Sequence, residues 1–130
     1  VTTTAPELRL ESQMPAVPPY TVTLPVAPSS NRYWRVWRNR AVRTKEAEAY
    51  IAAVKRAVGR RALFLGPVAV TIHWYRAARM GDLDGRLKVA LDAFQGSVYE
   101  NDRQIVELHA YRHEDPLDPR MAITVETRAP

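Results

Sequence analysis

No cysteine occurs among the 130 residues. Disulfides and thiolate metal sites are therefore excluded, and the absence fits a reducing compartment. No apolar run approaches the length needed to span a bilayer. The opening residues, VTTTAPELRLESQMPAVPP, lack the basic start and apolar centre of a signal peptide, so a cytoplasmic location is expected. No internal repeat or low-complexity tract is present. The rest is ordinary for a globular chain, 46% apolar and 25% charged. The length suits one domain and can bury a core without staples. The net charge of +5 suits a polyanion such as nucleic acid, but many basic proteins bind none. The placement of the charges decides.

Residues 1–19, rich in Pro, Thr and Ser, are expected to form a flexible or docked extension, and 20–127 the single domain. Residues 20–26, YTVTLPV, read as a strand, with Pro25 marking an edge strand or a strand end. APSSNR at 27–32 is turn-like. YWRVWRNRAVR at 33–43 alternates aromatic or apolar residues with Arg and suggests a short hairpin around Arg38–Arg40. Thr44 is a good N-cap for a helix over 45–59, with Ala47, Tyr50, Ile51, Val54 and Val58 on one face and Gly59 as its stop. Residues 67–76 read as a strand with Val68, Val70, Ile72 and Trp74 facing one way. Residues 83–94 read as a second helix, with Leu83, Leu87, Leu91 and Phe94 in a narrow apolar stripe. Residues 103–112 and 121–127 complete the strands. The order predicts an α+β fold, a small mixed or antiparallel sheet with two helices on one face, and not a doubly wound one.

Against its overall charge, the chain gathers Asp82, Asp84 and Asp92 around Lys88, with Asp102 downstream. A purely structural account exists. Asp82 caps the helix, Asp84 favours its positive end, and Asp84–Lys88 and Lys88–Asp92 are i,i+4 pairs worth a few tenths of a kcal/mol each. Asp102 is then turn chemistry. The functional account uses the same spacing. Four-residue steps put Asp84, Lys88 and Asp92 on one stripe, and a following strand can return Asp102 to it. Converging carboxylates repel unless a hard dication such as Mg²⁺ joins them. Such an ion polarises phosphate and activates water. Lys88 would then moderate the field, hold a phosphate oxygen, or assist the water.

Two stretches carry a family resemblance. D82-L-D84-x-x-x-K88-x-x-x-D92 with D102 downstream resembles the RusA family of Holliday junction resolvases. So does 20-YTVTLPVAPSSNRYWRVWRNRAVRT-44, which matches the family's opening strand, loop and Arg-rich hairpin. The resemblance covers about 20 to 126. It implies a RusA-like fold and a Mg²⁺-dependent endonuclease, with Mn²⁺ as a substitute and no small-molecule cofactor. It also implies a homodimer that resolves four-way DNA junctions by paired symmetric nicks, in a bacterial or phage-infected cell. Asp82, Asp84 and Asp102 carry over as metal-binding catalytic residues and Lys88 as the essential basic residue, with Asp92 supporting Lys88. This chain departs from the pattern at two points. Gly85 replaces the usual Asn after the second Asp, and Asn101–Asp102 replaces an Asp–Asp pair.

Arg32, Arg35, Arg38, Arg40 and Arg43, interleaved with Tyr33, Trp34 and Trp37, are expected to hold phosphates, as Arg donates paired hydrogen bonds. Asn31 and Tyr33 join them as DNA-contact candidates. The aromatics either stack on exposed bases or pack inward beneath a solvated Arg face. His73, His109 and His113 do not form a metal-spaced set, and a structural role is expected for His73. Two other functions remain open at this point: a nuclease for flaps or other branched DNA, and a non-catalytic nucleic-acid-binding module.

Overall fold

The computed structural model describes residues 17–29, 32, 34–77 and 83–129, and for 83–85 the backbone alone. Six strands and two helices are present among them. Strand β1 is Tyr20–Leu24, β2 is Trp34–Trp37 and β3 is Arg40–Arg43. Helix α1, Lys45–Val58, is followed by β4, Val68–Arg76, and helix α2, Leu83–Ala93. A 3₁₀ turn at Asp102–Gln104 leads into β5, Ile105–Glu114, and the last strand is β6, Arg120–Thr127.

β1, β6, β4 and β5 form one sheet in that order, while β2 and β3 pair only with each other. β4 runs parallel to β5 and antiparallel to β6, which is antiparallel to β1, so the sheet is mixed. β1 lies at an edge, as Pro25 after it suggested. The fold is the expected α+β one.

The central strand shows why the sheet holds. Val68, Val70, Ile72 and Trp74 are buried on one face of β4, beside Met121, Ile123 and Val125 of β6. Ala47, Tyr50, Ile51 and Val54 of α1 join the same core, as their helical spacing predicted. The second helix differs from its expected stripe. Its buried face is Val89, Ala90, Ala93 and Phe94, while Leu87 and Leu91 are only partly buried beside it. Steps of three and four residues make this face wider than a strict four-residue row.

β5 starts two residues later than expected and ends two later. Its predicted first residues are taken by the 3₁₀ turn. Five residues, 115–119, then carry the chain past β4, with Asp115 N–H bonded to Arg76 O. Arg120 closes this loop on Asp115 at 2.9 Å, and that donation holds the Asp115 carboxyl below its usual range. On the sheet face away from the core, His73 Nδ1 lies 2.8 Å from His113 Nε2, and His73 stacks on Tyr111. His73 thus has the structural role its strand position suggested.

Thr44 joins the loop to the helix. Its Oγ1 accepts from Ala47 N–H and donates to the Arg32 carbonyl. Thr44→Ala removes both bonds. It should lower the unfolding free energy by about 1 kcal/mol in denaturant titrations, with Thr44→Ser retaining most of it.

Candidate active site

Three of the expected site residues, Asn31, Tyr33 and Asp82, lie outside the described residues, as does the side chain of Asp84. The others can be placed. The Asp84 backbone lies in the first turn of α2. Lys88 follows one turn on, exposed, and Asp92 after it is half-buried. At a rise of ~1.5 Å per residue, α2 separates Asp84 from Asp92 by about 12 Å, with Lys88 midway.

Tyr99 connects the helix to the turn. Its hydroxyl donates to Leu91 O at 2.6 Å, and its ring meets Phe94 edge-on. The phenol is pushed far above its usual pKa, first by burial and then by the charges of Asp102 and Asp92. Tyr99 is therefore the common neighbour on which two of the expected carboxylates act. It was not singled out in the sequence, where an isolated Tyr in a loop carries no pattern.

Asp92 does not pair with Lys88 among the described residues. Its Oδ1 instead accepts from Gln95 Nε2 at 3.3 Å. The expected Lys88–Asp92 ion pair is thus replaced by a bond within the helix end. Lys88 is exposed to solvent, with no ion pair to a described residue.

Asp102 opens the 3₁₀ turn, half-buried. The turn is held by its neighbours. Asn101 Oδ1 accepts from Arg103 N–H at 2.8 Å. Gln104 Oε1 accepts from Glu100 N–H and Asn101 N–H at 2.9 and 3.0 Å. Gln104 Nε2 donates to the carbonyls of Phe64 and Gly66 at 2.7 and 2.9 Å. One amide side chain therefore fixes the backbone on both sides of Asp102 and ties it to the segment before β4. The N-x-x-Q spacing of a capping box was its signal in the sequence.

Arg86 is a second residue that the sequence reading passed over. It lies inside the acidic run, yet its Nη1 donates to Ala27 O at 2.6 Å. Its guanidinium carbon sits 5.6 Å from the centre of the Trp74 ring. Arg86 thus clamps α2 to the segment after β1, which leads to the arginine hairpin.

That hairpin forms as the sequence predicted. Trp34 pairs with Arg43 and Trp37 with Arg40. Arg38 and Asn39 make the turn with φ of 50° and 60°, the left-handed pair that a two-residue hairpin turn requires. The inward packing considered for its aromatics is not found. Trp34 is 47% exposed, Val36 77% and Trp37 54%. These strands pair only with each other, outside the main sheet and the core cluster of the described residues. Instead, the Arg35 and Arg38 guanidinium carbons lie 5.6 and 5.5 Å from the Trp37 ring centre, within cation–π range. Arg32, Arg35, Arg38, Arg40 and Arg43 make no ion pair with a described residue.

Among the described residues no three His, Cys, Asp or Glu side chains form a metal-binding group. His109 bonds Glu107 at 3.0 Å, apart from the His73–His113 pair.

Gln104→Ala removes four bonds at one point. At roughly 0.5–1.5 kcal/mol net each, stability should fall by about 2–6 kcal/mol in thermal or urea unfolding. Gln104→Glu, which keeps the two acceptor bonds but sets a carboxylate oxygen against the Phe64 and Gly66 carbonyls, should not restore the stability.

The family described as Endodeoxyribonuclease RusA matches residues 24–126. The Crossover junction endodeoxyribonuclease RusA of Escherichia coli is 32% identical over 111 residues, which is 82% of this chain and 92% of that protein. The protein of the same name from Shigella sonnei (strain Ss046) gives the same figures. That of Enterobacteria phage 82 is 31% identical over the same 111-residue length. With the matched region running from the end of β1 nearly to the end of β6, this chain belongs to the RusA family of endodeoxyribonucleases.

Proposed function

We propose that this chain resolves Holliday junctions by Mg²⁺-dependent, paired symmetric nicking of four-way DNA. The observation that carries the reading is the sequence of Asp84, Lys88 and Asp92 along α2 with Asp102 in the turn that leads into β5, the two being tied by the Tyr99 hydroxyl donating to Leu91 O. It occurs in a chain that spans 92% of a relative named for crossover-junction cleavage. Residues 20–127 form the catalytic domain and 1–19 an extension to it. No described helix is long and apolar enough to cross a membrane, and the working place is the cytoplasm of a bacterial or phage-infected cell.

The donor chemistry fits a hard dication. The candidate ligands Asp82, Asp84 and Asp102 are all carboxylates, and Asp102 makes no ion pair with a described residue. When bound, Mg²⁺, or Mn²⁺ in its place, supplies charge to polarise the scissile phosphate and to make the attacking water more acidic. The chain's own groups do the rest. Lys88, exposed on α2, offsets negative charge that develops on the phosphate. Asp92 braces the helix end through Gln95. Arg32, Arg35, Arg38, Arg40 and Arg43, with Asn31 and Tyr33, hold the DNA arms, and Arg binding to phosphates makes affinity fall with salt.

A four-way junction has approximate two-fold symmetry. Two symmetric nicks need two sites in matching orientation, which a C2 homodimer supplies.

The test is cleavage of labelled four-way junctions, flaps and linear duplexes in Mg²⁺, with binding measured in Ca²⁺. Wild type should give paired nicks on the junction. Asp84→Asn should bind but not cut, and Lys88→Met should cut roughly 10²–10³-fold more slowly. Preferential cutting of flaps would move the function to another branched substrate. Binding without cutting in Mg²⁺ would make the chain a binding module.

A further inference from the structure

The hairpin is not the only concentration of positive charge. Lys55, Arg56, Arg60 and Arg61 fall within seven residues at the end of α1 and just beyond it. Cations are favoured at a helix C-terminus, where the dipole amounts to about half a negative charge. Four full charges exceed that need several-fold. Three of them, Lys55, Arg60 and Arg61, line an open cleft of about 650 Å³ whose other wall includes Gly96 and Ser97, in the turn after α2. No carboxylate lines this cleft among the described residues.

The members differ in how far they are committed. Arg61 lies over the Tyr20 ring at 3.9 Å and bonds Ala62 O through its Nε. It is part of the wall. The Ser97 hydroxyl donates to the carbonyls of Phe94 and Ala93, and Gly96 N–H to Tyr99 O. These groups are satisfied inside the turn. Lys55 and Arg60 are different. Both are exposed, and neither has an ion pair or side-chain hydrogen bond with a described residue. Their charges face the cleft unneutralised.

The cleft also has a defined place. Its Gly96–Ser97 wall belongs to the turn that ends at Tyr99, the neighbour of Asp92 and Asp102. The hairpin joins α1 at the opposite end, through Thr44. With 14 residues, α1 sets the two basic regions about 21 Å apart. That is roughly six phosphate steps at ~3.4 Å along one strand. The two regions therefore cannot serve the same phosphate.

We infer that the cleft between the end of α1 and the turn after α2 is a second phosphodiester-binding site, in which Lys55 and Arg60 grip the DNA backbone away from the hairpin. The inference rests on the reading of this chain as a DNA-cutting enzyme and adds a place where the backbone is held. The occupant is duplex backbone, since the cleft offers unpaired positive charge with no base-sized aromatic surface on its walls.

The experiment is the salt dependence of binding to a four-way junction and to a linear duplex in Ca²⁺, comparing wild type with the double variant Lys55→Gln, Arg60→Gln. Both side chains are exposed, and unchanged circular dichroism and melting would show that the fold is kept. Each subunit loses two phosphate contacts, four in the dimer, so the slope of log K against log salt should fall by about 3.6 on the junction. Affinity should drop roughly 10²–10³-fold near 0.15 M salt and converge with wild type near 1 M. Arg112→Gln serves as the control, removing a charge about 23 Å along β5 from Ile105. It should leave the slope within ~0.3 of wild type. An unchanged slope in the double variant overturns the inference, as does a fall in the single-charge control of half that size or more, which would mean net charge alone is acting. If wild type binds DNA but cuts no junction, the resolvase reading fails while the slope still decides the cleft. If wild type binds no DNA at any salt, both fail.

Discussion

The parallel pairing of β4 with β5 is the constraint on which the site depends. Parallel neighbours cannot be joined by a tight turn. The chain that leaves β4 at Arg76 must travel back along the sheet before β5 can start beside Val68. Helix α2 makes most of that return. Its acidic residues are thus carried on a rigid crossover and not on a loop, and the stretch after its far end leads to the start of β5. Asp102 occupies that entry. An 11-residue helix covers roughly 16 Å of a strand of roughly 30 Å. Residues 94–104 complete the journey, and this is the stretch that Tyr99 and Gln104 hold in place.

Charge is sorted along the same scaffold. Asp84 and Asp92 lie on α2 and Asp102 in the turn after it, whereas the hairpin arginines and the Lys55–Arg61 cluster lie at the two ends of α1. Nearby opposite charges would pair and cancel, leaving little field for either a dication or a phosphate. Arg86 shows how this is avoided within the acidic run itself. It bonds a backbone carbonyl and lies over Trp74, so its guanidinium serves as a clamp and a packing surface. Lys88 is the cation within that run that remains in solvent. A basic chain can therefore draw in a polyanion over a distance of several ångströms while keeping a locally negative site.

Much of this was legible in the sequence, and for local reasons. The Thr44 cap, the Gly59 stop, the apolar face of α1 and the alternation in β4 are all set by neighbours within a turn or two. The hairpin turn at Arg38–Asn39 is likewise local. What could not be read is what depends on partners far along the chain. Gln104 acts on Phe64 and Gly66, some forty residues earlier. Arg86 acts on Ala27, and Tyr99 matters through Asp92 and Asp102 together. The exposure of Trp34 and Trp37 was also hidden. Alternation of aromatic and Arg residues predicts a strand with two faces, but it does not say whether a core lies beneath either one.

The departure at Asn101 can be understood in these terms. RusA-like sequences often carry Asp there, and either residue can cap a turn by accepting a backbone N–H. Here Asn101 does so through Oδ1 to Arg103. The frame around Asp102 therefore survives the change, because Gln104 and the cap hold it with or without the charge. What is lost is one negative charge beside Asp102. At the proposed site, a weaker negative field would attract a dication less strongly, but it would also repel an approaching phosphate less. The two effects oppose each other at the same point in space. The substitution thus acts on the electrostatics of the site and leaves its architecture intact, which is why a chain without that charge can keep the family's fold around Asp102.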